Sequence, residues 1–275
     1  MSGPTLVVLA AGVGRRYGGL KQTDPVGPGG AAIPEYTAFD AHRAGFERVV
    51  LIVRAEIEEA IRSSIGARIA RRLPVAYVRQ SMDLPPGRTK PWGTAHAVLC
   101  AEGAIGGPFA VANADDLYGR EAIEDLGRFL RDEPRGWALV GYPLRETLSA
   151  EGGVSRGVCR VSPDGWLQRI EEMHGVTPAT APPATVSMNL WGFRPDLFAL
   201  LREGFDRFGR THGGSAEAEF LLPTLVQEAI ESGRARVRVL PARSRWCGIT
   251  HPADRDRAAR LLADRVAAGE YPAQL

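Results

Sequence analysis

An apolar run, Leu6-Val7-Val8-Leu9, leads directly into Ala10-Ala11-Gly12-Val13-Gly14, and the loop that follows carries three cations, Arg15, Arg16 and Lys21. Glycines at 12 and 14 leave backbone N–H groups unobstructed, able to point at phosphate oxygens. Cations beside them can neutralise the charge that grows when a phosphoryl bond is made or broken. The residue types therefore point to polyphosphate chemistry. Three other glycine loops fail on spacing. A dinucleotide fingerprint wants its third glycine one residue before Gly18 and an acidic end to the next strand, where this chain has Arg54. A P-loop needs Gly-Lys followed by Ser or Thr, which occurs nowhere in the chain. A kinase glycine loop would need catalytic-loop and D-F-G motifs downstream, and these are also missing.

The segment Leu9 to Lys21 resembles, without a gap, the nucleotidyltransferase signature L-A-A/G-G-x-G-x-R-x-G-x-x-K. That signature is shared by sugar-1-phosphate nucleotidylyltransferases, molybdenum-cofactor guanylyltransferases and the cytidylyltransferases of isoprenoid and choline metabolism. The resemblance is greatest to the sugar-1-phosphate enzymes. It implies that Ala10, Ala11, Gly12 and Gly14 hold the nucleotide, and that Arg16 and Lys21 act catalytically on the transferring and leaving phosphates. A second match lies at Tyr77-Val78-Arg79-Gln80 followed by Gly93-Thr94-Ala95-His96-Ala97, which is similar to the family's strand ending in Gln and its G-x-A-x-A helix start. It implies Gln80, Gly93 and Thr94 as base-side residues. A glutamine amide offers both a donor and an acceptor, which suits the edge of uracil or thymine and favours UTP or dTTP. Asn113-Ala114-Asp115-Asp116 resembles the family's G-D-D turn, and the resemblance places Mg2+ on Asp115, a catalytic residue, with Asp116 as a polar neighbour. Hard carboxylate oxygens suit that ion.

On the acceptor side, Arg156-Gly157-Val158 resembles a Y-G-V turn, Ile170-Glu171-Glu172-Met173 an I-E-E-K run, and Asn189 falls in an N-x-G-x-Y/F-like strand. These imply Gly157, Glu172 and Asn189 as acceptor-binding residues. Two positions depart from the family. Met173 stands where a phosphate-binding lysine is expected, and Arg169 or Lys90 are the candidate replacements. In Trp246-Cys247-Gly248-Ile249-Thr250-His251-Pro252-Ala253-Asp254, similar to W-x-D-V/I-G-T-P-x-D, Gly248 replaces the second metal aspartate. Water and nucleotide phosphates could complete the coordination there, or Glu219 or Asp254 could move in. The resemblance implies an enzyme joining an NTP to a sugar 1-phosphate with release of pyrophosphate. A cytidylyltransferase acting on phosphocholine or a polyol phosphate is the nearest alternative, and a nucleotide-binding regulatory protein with decayed catalysis the other.

These residues need a scaffold that brings loop ends together. The first half alternates strand and helix, with strands expected at 5–10, 48–53, 75–79 and 109–113 and helices at 34–44, 56–73, 94–102 and 120–131. Such alternation predicts right-handed crossovers and a mainly parallel sheet covered on both faces. Ligands bind beyond the carboxyl ends of strands in sheets of this kind, so the glycine loop, Gln80 and Asp115 should meet in one cleft. From Trp137 onward shorter strands with turn signals read as a mixed region, followed by helices at 195–208, 217–232 and 252–268. The expected fold is a Rossmann-like three-layer α/β/α arrangement with a mixed, mainly parallel central sheet, of the nucleotide-diphospho-sugar transferase type. One domain is expected over 1–275, with an NTP-binding half at 1–135 and an acceptor-binding half at 136–275.

At 275 residues, 44% hydrophobic and 24% charged, the chain has material for a substantial core. A net charge of +2 without a long basic run argues against a nucleic-acid partner. The cations look local, as for small anionic substrates. Cys100, Cys159 and Cys247 are isolated and do not cluster with histidines at zinc-ligand spacing, which suggests buried thiols in a reducing cytoplasm. A core strand starting near Thr5 leaves no room for a leader, and no apolar run approaches the about 20 residues that span a bilayer. A cytoplasmic protein without a membrane partner is expected, with a homo-oligomer possible.

Overall fold

The computed structural model describes residues 3–12, 21–82, 84, 86, 88–149, 152–249 and 252–275, apart from the side chains of Lys21, Pro252 and Ala253. Strand β1 (Thr5–Leu9) lies in the middle of the sheet. Leu6 and Val8 pack into one apolar cluster and Val7 into another, so this strand is covered on both faces. Parallel to it run β2 (Arg48–Val53) and β4 (Phe109–Asn113), and β3 (Val75–Arg79) pairs with β2. The intervening α1 (Ile33–Arg43) and α4 (Thr94–Cys100) make the crossovers.

Because β2 and β3 extend the sheet on one side of β1 and β4 lies on the other, the chain reverses direction at β1 and β4. A crevice opens at such a switch point, beyond the carboxyl ends of the two strands. The second half completes the same sheet. Its strands are β6 (Trp137–Pro143), β7 (Val154–Val161), β8 (Leu167–Val176), β9 (Thr185–Phe193) and β10 (Val237–Pro241), and β9 runs antiparallel between β4 and β6. β7 and β8 form a hairpin held by β9. Helices α5 (Arg120–Asp132), α6 (Leu197–His212) and α7 (Leu222–Glu231) cover the faces, and α8 (Pro252–Ala267) packs on its own small apolar cluster. The expected layers and mixed sheet are present. No helix among the described residues is long and apolar enough to cross a membrane. All three cysteines are free thiols, and burial pushes Cys159 up to about 12.

Three elements differ from the sequence expectation for local reasons. The helix expected over 56–73 is interrupted: α2 (Glu58–Ile61) and α3 (Ala67–Ile69) flank a single π turn, Arg62–Gly66. The Ser63 hydroxyl donates to the Glu59 carbonyl at 2.7 Å and Ser64 donates to that of Ala60, competing with the helical ladder. The wide turn also admits Tyr77, whose hydroxyl would lie 2.0 Å from a Cβ at Gly66. Helix α7 starts at Leu222 instead of 217, with Pro223 in its first turn. The preceding segment is held open by buried Arg88, whose guanidinium donates to the carbonyls of Ser215 and Ala218, both at 2.8 Å. Finally, β5 (Asp116–Leu117) pairs antiparallel with β11 (Cys247–Gly248), a two-residue ladder too short to show in any periodicity.

The C-terminal segment is fastened by a buried carboxyl. Asp40 on α1 is 1% exposed and accepts a 2.7 Å hydrogen bond from the Tyr271 hydroxyl. Burial pushes it up to about 7, with Glu270 adding to the rise and Tyr271, Arg265 and Arg43 opposing it. The folded chain therefore keeps this proton to about pH 7, whereas the unfolded chain releases it near 3.8. Folding then binds more protons in that window, so stability is full below it and falls as pH rises through it. Asp40→Asn is expected to flatten this loss and to melt above wild type at pH 8, in thermal melts from pH 4 to 9.

Candidate active site

The site starts at the end of β4. Leu9 and Asn113 are register partners on adjacent parallel strands, so the segments Ala10–Gly12 and Ala114–Asp115 leave the sheet side by side. The Ala114 N–H donates to the Leu9 carbonyl at 3.3 Å, and the Ala10 N–H to that of Ile52 at 2.9 Å. Gln22, 2% exposed, donates its amide to the Gly12 carbonyl and so ties the far side of the glycine loop to its start. No motif or periodicity marks Gln22 for that role. Gly14, Arg15 and Arg16 lie outside the described residues, as does the side chain of Lys21.

Asp115 and Asp116 open onto a cleft of about 500 Å3 that is also lined by Thr94, Gly157, Glu172 and Asn189. Five of the residues expected at the site, from both halves of the chain, thus share one cavity. Asp115 is half-buried and its carbonyl accepts from the Ile249 N–H at 3.0 Å. Asp116 is 6% exposed, and its Oδ2 accepts from Asn113 Nδ2 at 2.8 Å and lies 3.3 Å from the Tyr118 hydroxyl. That hydroxyl accepts from the Asn113 N–H at 3.0 Å, and burial raises its pKa far above the usual phenol value. Asn189 has a left-handed backbone (φ 59°), a conformation Asn tolerates better than most residues. Its Oδ1 accepts from the Trp191 indole at 3.2 Å, which leaves the amide nitrogen as the group it can offer to the cleft. Gly157 brings the main chain close: a Cβ there would lie 3.1 Å from Ile170 Cγ2.

Gln80 and Gly93 sit behind the cleft lining. The Gln80 side chain is buried, and its Nε2 donates to the Gly93 carbonyl at 3.1 Å and lies 3.5 Å from His96 Nδ1. Burial pushes His96 down to about 4, so it is neutral here. Gly93 takes φ 109° as the cap of α4, and Thr94 Oγ1 accepts from the Leu222 N–H at 3.0 Å. Helix α7 supplies Pro223, Thr224 and Gln227 to the wall, and the Gln227 Oε1 accepts from the Ile170 N–H at 2.8 Å. Its amphipathic pattern marks only a packed helix, so its contribution was not foreseeable from sequence.

No model of a known protein family matches the chain. Over 233 residues, 82% of the chain, it is 28% identical to the bifunctional protein GlmU of Hyphomonas neptunium. The match covers 45% of that protein, so the chain spans less than half the length of this curated relative. Among solved structures, the inositol-1-phosphate CTP transferase from T. maritima superposes with a TM-score of 0.69 at 15% identity, covering 97% of each chain. UDP-glucose pyrophosphorylase complexed with UDP-glucose superposes with a TM-score of 0.65 at 18% identity, covering 96% of this chain and 99% of the other. The chain has the nucleotidyltransferase fold.

Within this nucleotidyltransferase fold, the two departures noted in the sequence acquire surroundings. Met173 is 38% exposed and pairs across the β7–β8 ladder with Arg156. Neither proposed substitute lines the cleft: Arg169 pairs with Glu171 at 2.7 Å and Lys90 with Glu219 at 3.1 Å. Among the described residues the cation that lines it is Arg156, which donates to Thr147 Oγ1 at 3.1 Å and to the Ser155 carbonyl at 2.9 Å. Burial lowers its pKa, while Asp116 and Asp254 oppose the fall. Glu219 and Asp254, the carboxylates suggested in place of Gly248, are likewise outside the lining. Among the described residues no three His, Cys, Asp or Glu side chains form a ready cation cage. A donor set of one or two carboxylates suits Mg2+, which keeps waters and binds substrate phosphates instead of demanding a full protein shell. Asp115 and Asp116 meet that requirement.

Proposed function

We propose that this chain is a Mg2+-dependent nucleotidyltransferase that joins an NTP to a sugar 1-phosphate and releases pyrophosphate. One observation carries the reading: Asp115 from the first half shares a single cleft with Gly157, Glu172 and Asn189 from the second. A cleft of about 500 Å3 has room for a nucleotide phosphate and a phosphorylated sugar side by side. The acceptor phosphate is already ionised at neutral pH, so its oxygen can attack the α-phosphorus in line without a protein nucleophile or general base. The protein's task is to position and to neutralise charge. Ala10, Ala11, Gly12 and Gly14 hold the triphosphate, and Arg16 and Lys21 counter charge on the transferring and leaving groups. Thr94 and the Gly93 cap, fixed by Gln80, flank the base, for which UTP or dTTP is the expected partner. Asn189 and Glu172 hold acceptor hydroxyls. Asp115 would hold Mg2+, which would supply neutralisation of the polyphosphate.

A second reading has specific support. The inositol-1-phosphate CTP transferase superposes over 97% of the chain, and the sequence Arg15-Arg16-Tyr17 with Lys21-Gln22 resembles the cytidylyltransferase branch. The two are separated by measuring pyrophosphate release with UTP, dTTP, CTP, ATP and GTP against glucose 1-phosphate, inositol 1-phosphate and phosphocholine. Release with UTP or dTTP and a sugar 1-phosphate is the expected result. A CTP preference with a polyol phosphate transfers the assignment to the second reading. Tight NTP binding without turnover on any acceptor overturns both.

A further inference from the structure

We infer that Asp116 is a second carboxylate of the cation site and takes the place left by Gly248. This rests on the transferase reading above and concerns which of this chain's own residues hold the cation. The β5–β11 ladder sets Gly248 directly across from Asp116. A Cβ on Gly248 would lie 2.6 Å from Asp116 Oδ1 and 2.3 Å from the Trp246 ring. The carboxylate at 116 therefore fills the volume that a side chain at 248 would use. A side chain at 248 would have to displace the Asp116 carboxylate and the Trp246 ring from where they now lie. What disfavours a side chain at 248 is space and not backbone conformation, because Gly248 is not among the residues with a left-handed backbone.

Asp116 is buried yet lines the same cleft as Asp115, one residue away on the other side of the turn. Its Oδ2 is oriented by Asn113 Nδ2, while the Tyr118 hydroxyl 3.3 Å away also has the Met188 carbonyl as an acceptor at 2.9 Å; the Asn113 contact is the kind of support that fixes a coordinating group. A separate observation points to a ligand in this corner. Trp246 lines the cleft and is 7% exposed, and its buried indole Nε1 has no hydrogen-bond partner among the described residues. Buried N–H groups are almost always satisfied, so this donor is a place for an incoming oxygen, whether an ordered water, a phosphate oxygen or a water on a hydrated cation. Arg156 lies 5.4 Å from the centre of the same ring. The corner thus combines two carboxylates for a divalent cation with donors for the oxygens that accompany it.

The test is Mn2+ binding followed by electron paramagnetic resonance, alone and with α,β-methylene UTP or CTP, for wild type, Asp115→Asn and Asp116→Asn. Asp116→Asn is isosteric and keeps an oxygen acceptor for Asn113 and Tyr118. It is expected to weaken Mn2+ binding by at least about tenfold, as is Asp115→Asn. Binding within twofold of wild type in Asp116→Asn, with loss in Asp115→Asn, overturns the inference and leaves the transferase reading standing. Because Asp116 is buried, a measurement on the wild-type chain accompanies the variants: electron-nuclear double resonance of Mn2+ in protein carrying 13C-carboxyl aspartate. Couplings to two aspartate carboxylates support the assignment, and coupling to one overturns it. A wild-type chain that binds no Mn2+ with either analogue overturns the transferase reading and this inference together.

Discussion

Asp115→Asn lowers the rate of pyrophosphate release by on the order of 100-fold or more, in a protein that still folds. The backbone of residue 115 is held by the Ile249 N–H, and its side chain is half-buried and lines the cleft. Substitution therefore removes a charge from the cleft and leaves the β5–β11 contact in place. The expected loss follows from what the carboxylate does in the proposed reaction. Negative charge accumulates on the transferring and leaving phosphates, and Asp115 would hold the cation that would offset it in the transition state. The effect should appear in kcat and kcat/KM together, since an interaction made chiefly in the transition state is the one removed. A steady-state assay of pyrophosphate release checks it, alongside a thermal melt. A fully active variant with an unchanged melting temperature would remove Asp115 from the machinery.

Gly93→Ala costs stability, and through it the shape of the nucleotide side of the cleft. Gly93 takes φ 109°, and a Cβ there would lie 2.6 Å from the Phe220 carbonyl oxygen and 3.0 Å from its N and C atoms. These contacts are main chain, which cannot rotate aside. The segment is pinned from both directions, because the Phe220 N–H donates to the Trp92 carbonyl at 2.5 Å and the Ala95 N–H to the Phe220 carbonyl at 3.0 Å. The backbone strain is worth about 1–3 kcal/mol and the overlap a further ~1–3 kcal/mol. For a chain of this size that lowers the melting temperature by about 10 °C, at roughly 2–4 °C per kcal/mol. Calorimetry or a fluorescence melt reads it. An unchanged melting temperature would mean that Gly93 does not approach Phe220 so closely.

Much of the architecture was legible because each half-buried or fully buried element carries its period in the residues themselves. The apolar run at Leu6 to Leu9 announces a strand covered on both faces. Separate motifs singled out Asp115, Gly157, Glu172 and Asn189, and these line one cleft, whereas Gln80, expected to meet Asp115 there, sits behind the lining. Elsewhere local competition hid the outcome. The stripe Ile57, Ile61, Ile65 and Ile69 reads as one helix, yet two serines and the approach of Tyr77 insert a π turn. Arg88 overrides a helix expected from 217 by capturing carbonyls more than a hundred residues away.

The sequence by itself determined the apolar strand that leads into the glycine loop, the alternation that makes a three-layer fold, and the two positions, Met173 and Gly248, that depart from the motifs the chain resembles. What surrounds those positions was decided only in three dimensions. Asp116 and Gly248 are 132 positions apart, and the ladder that joins them has two residues on each side, too few for any pattern to declare. Arg156 comes opposite Met173 only through the register of β7 and β8. Local periodicity records which face of an element is buried. It carries no record of which distant side chain will occupy the space that a glycine leaves empty.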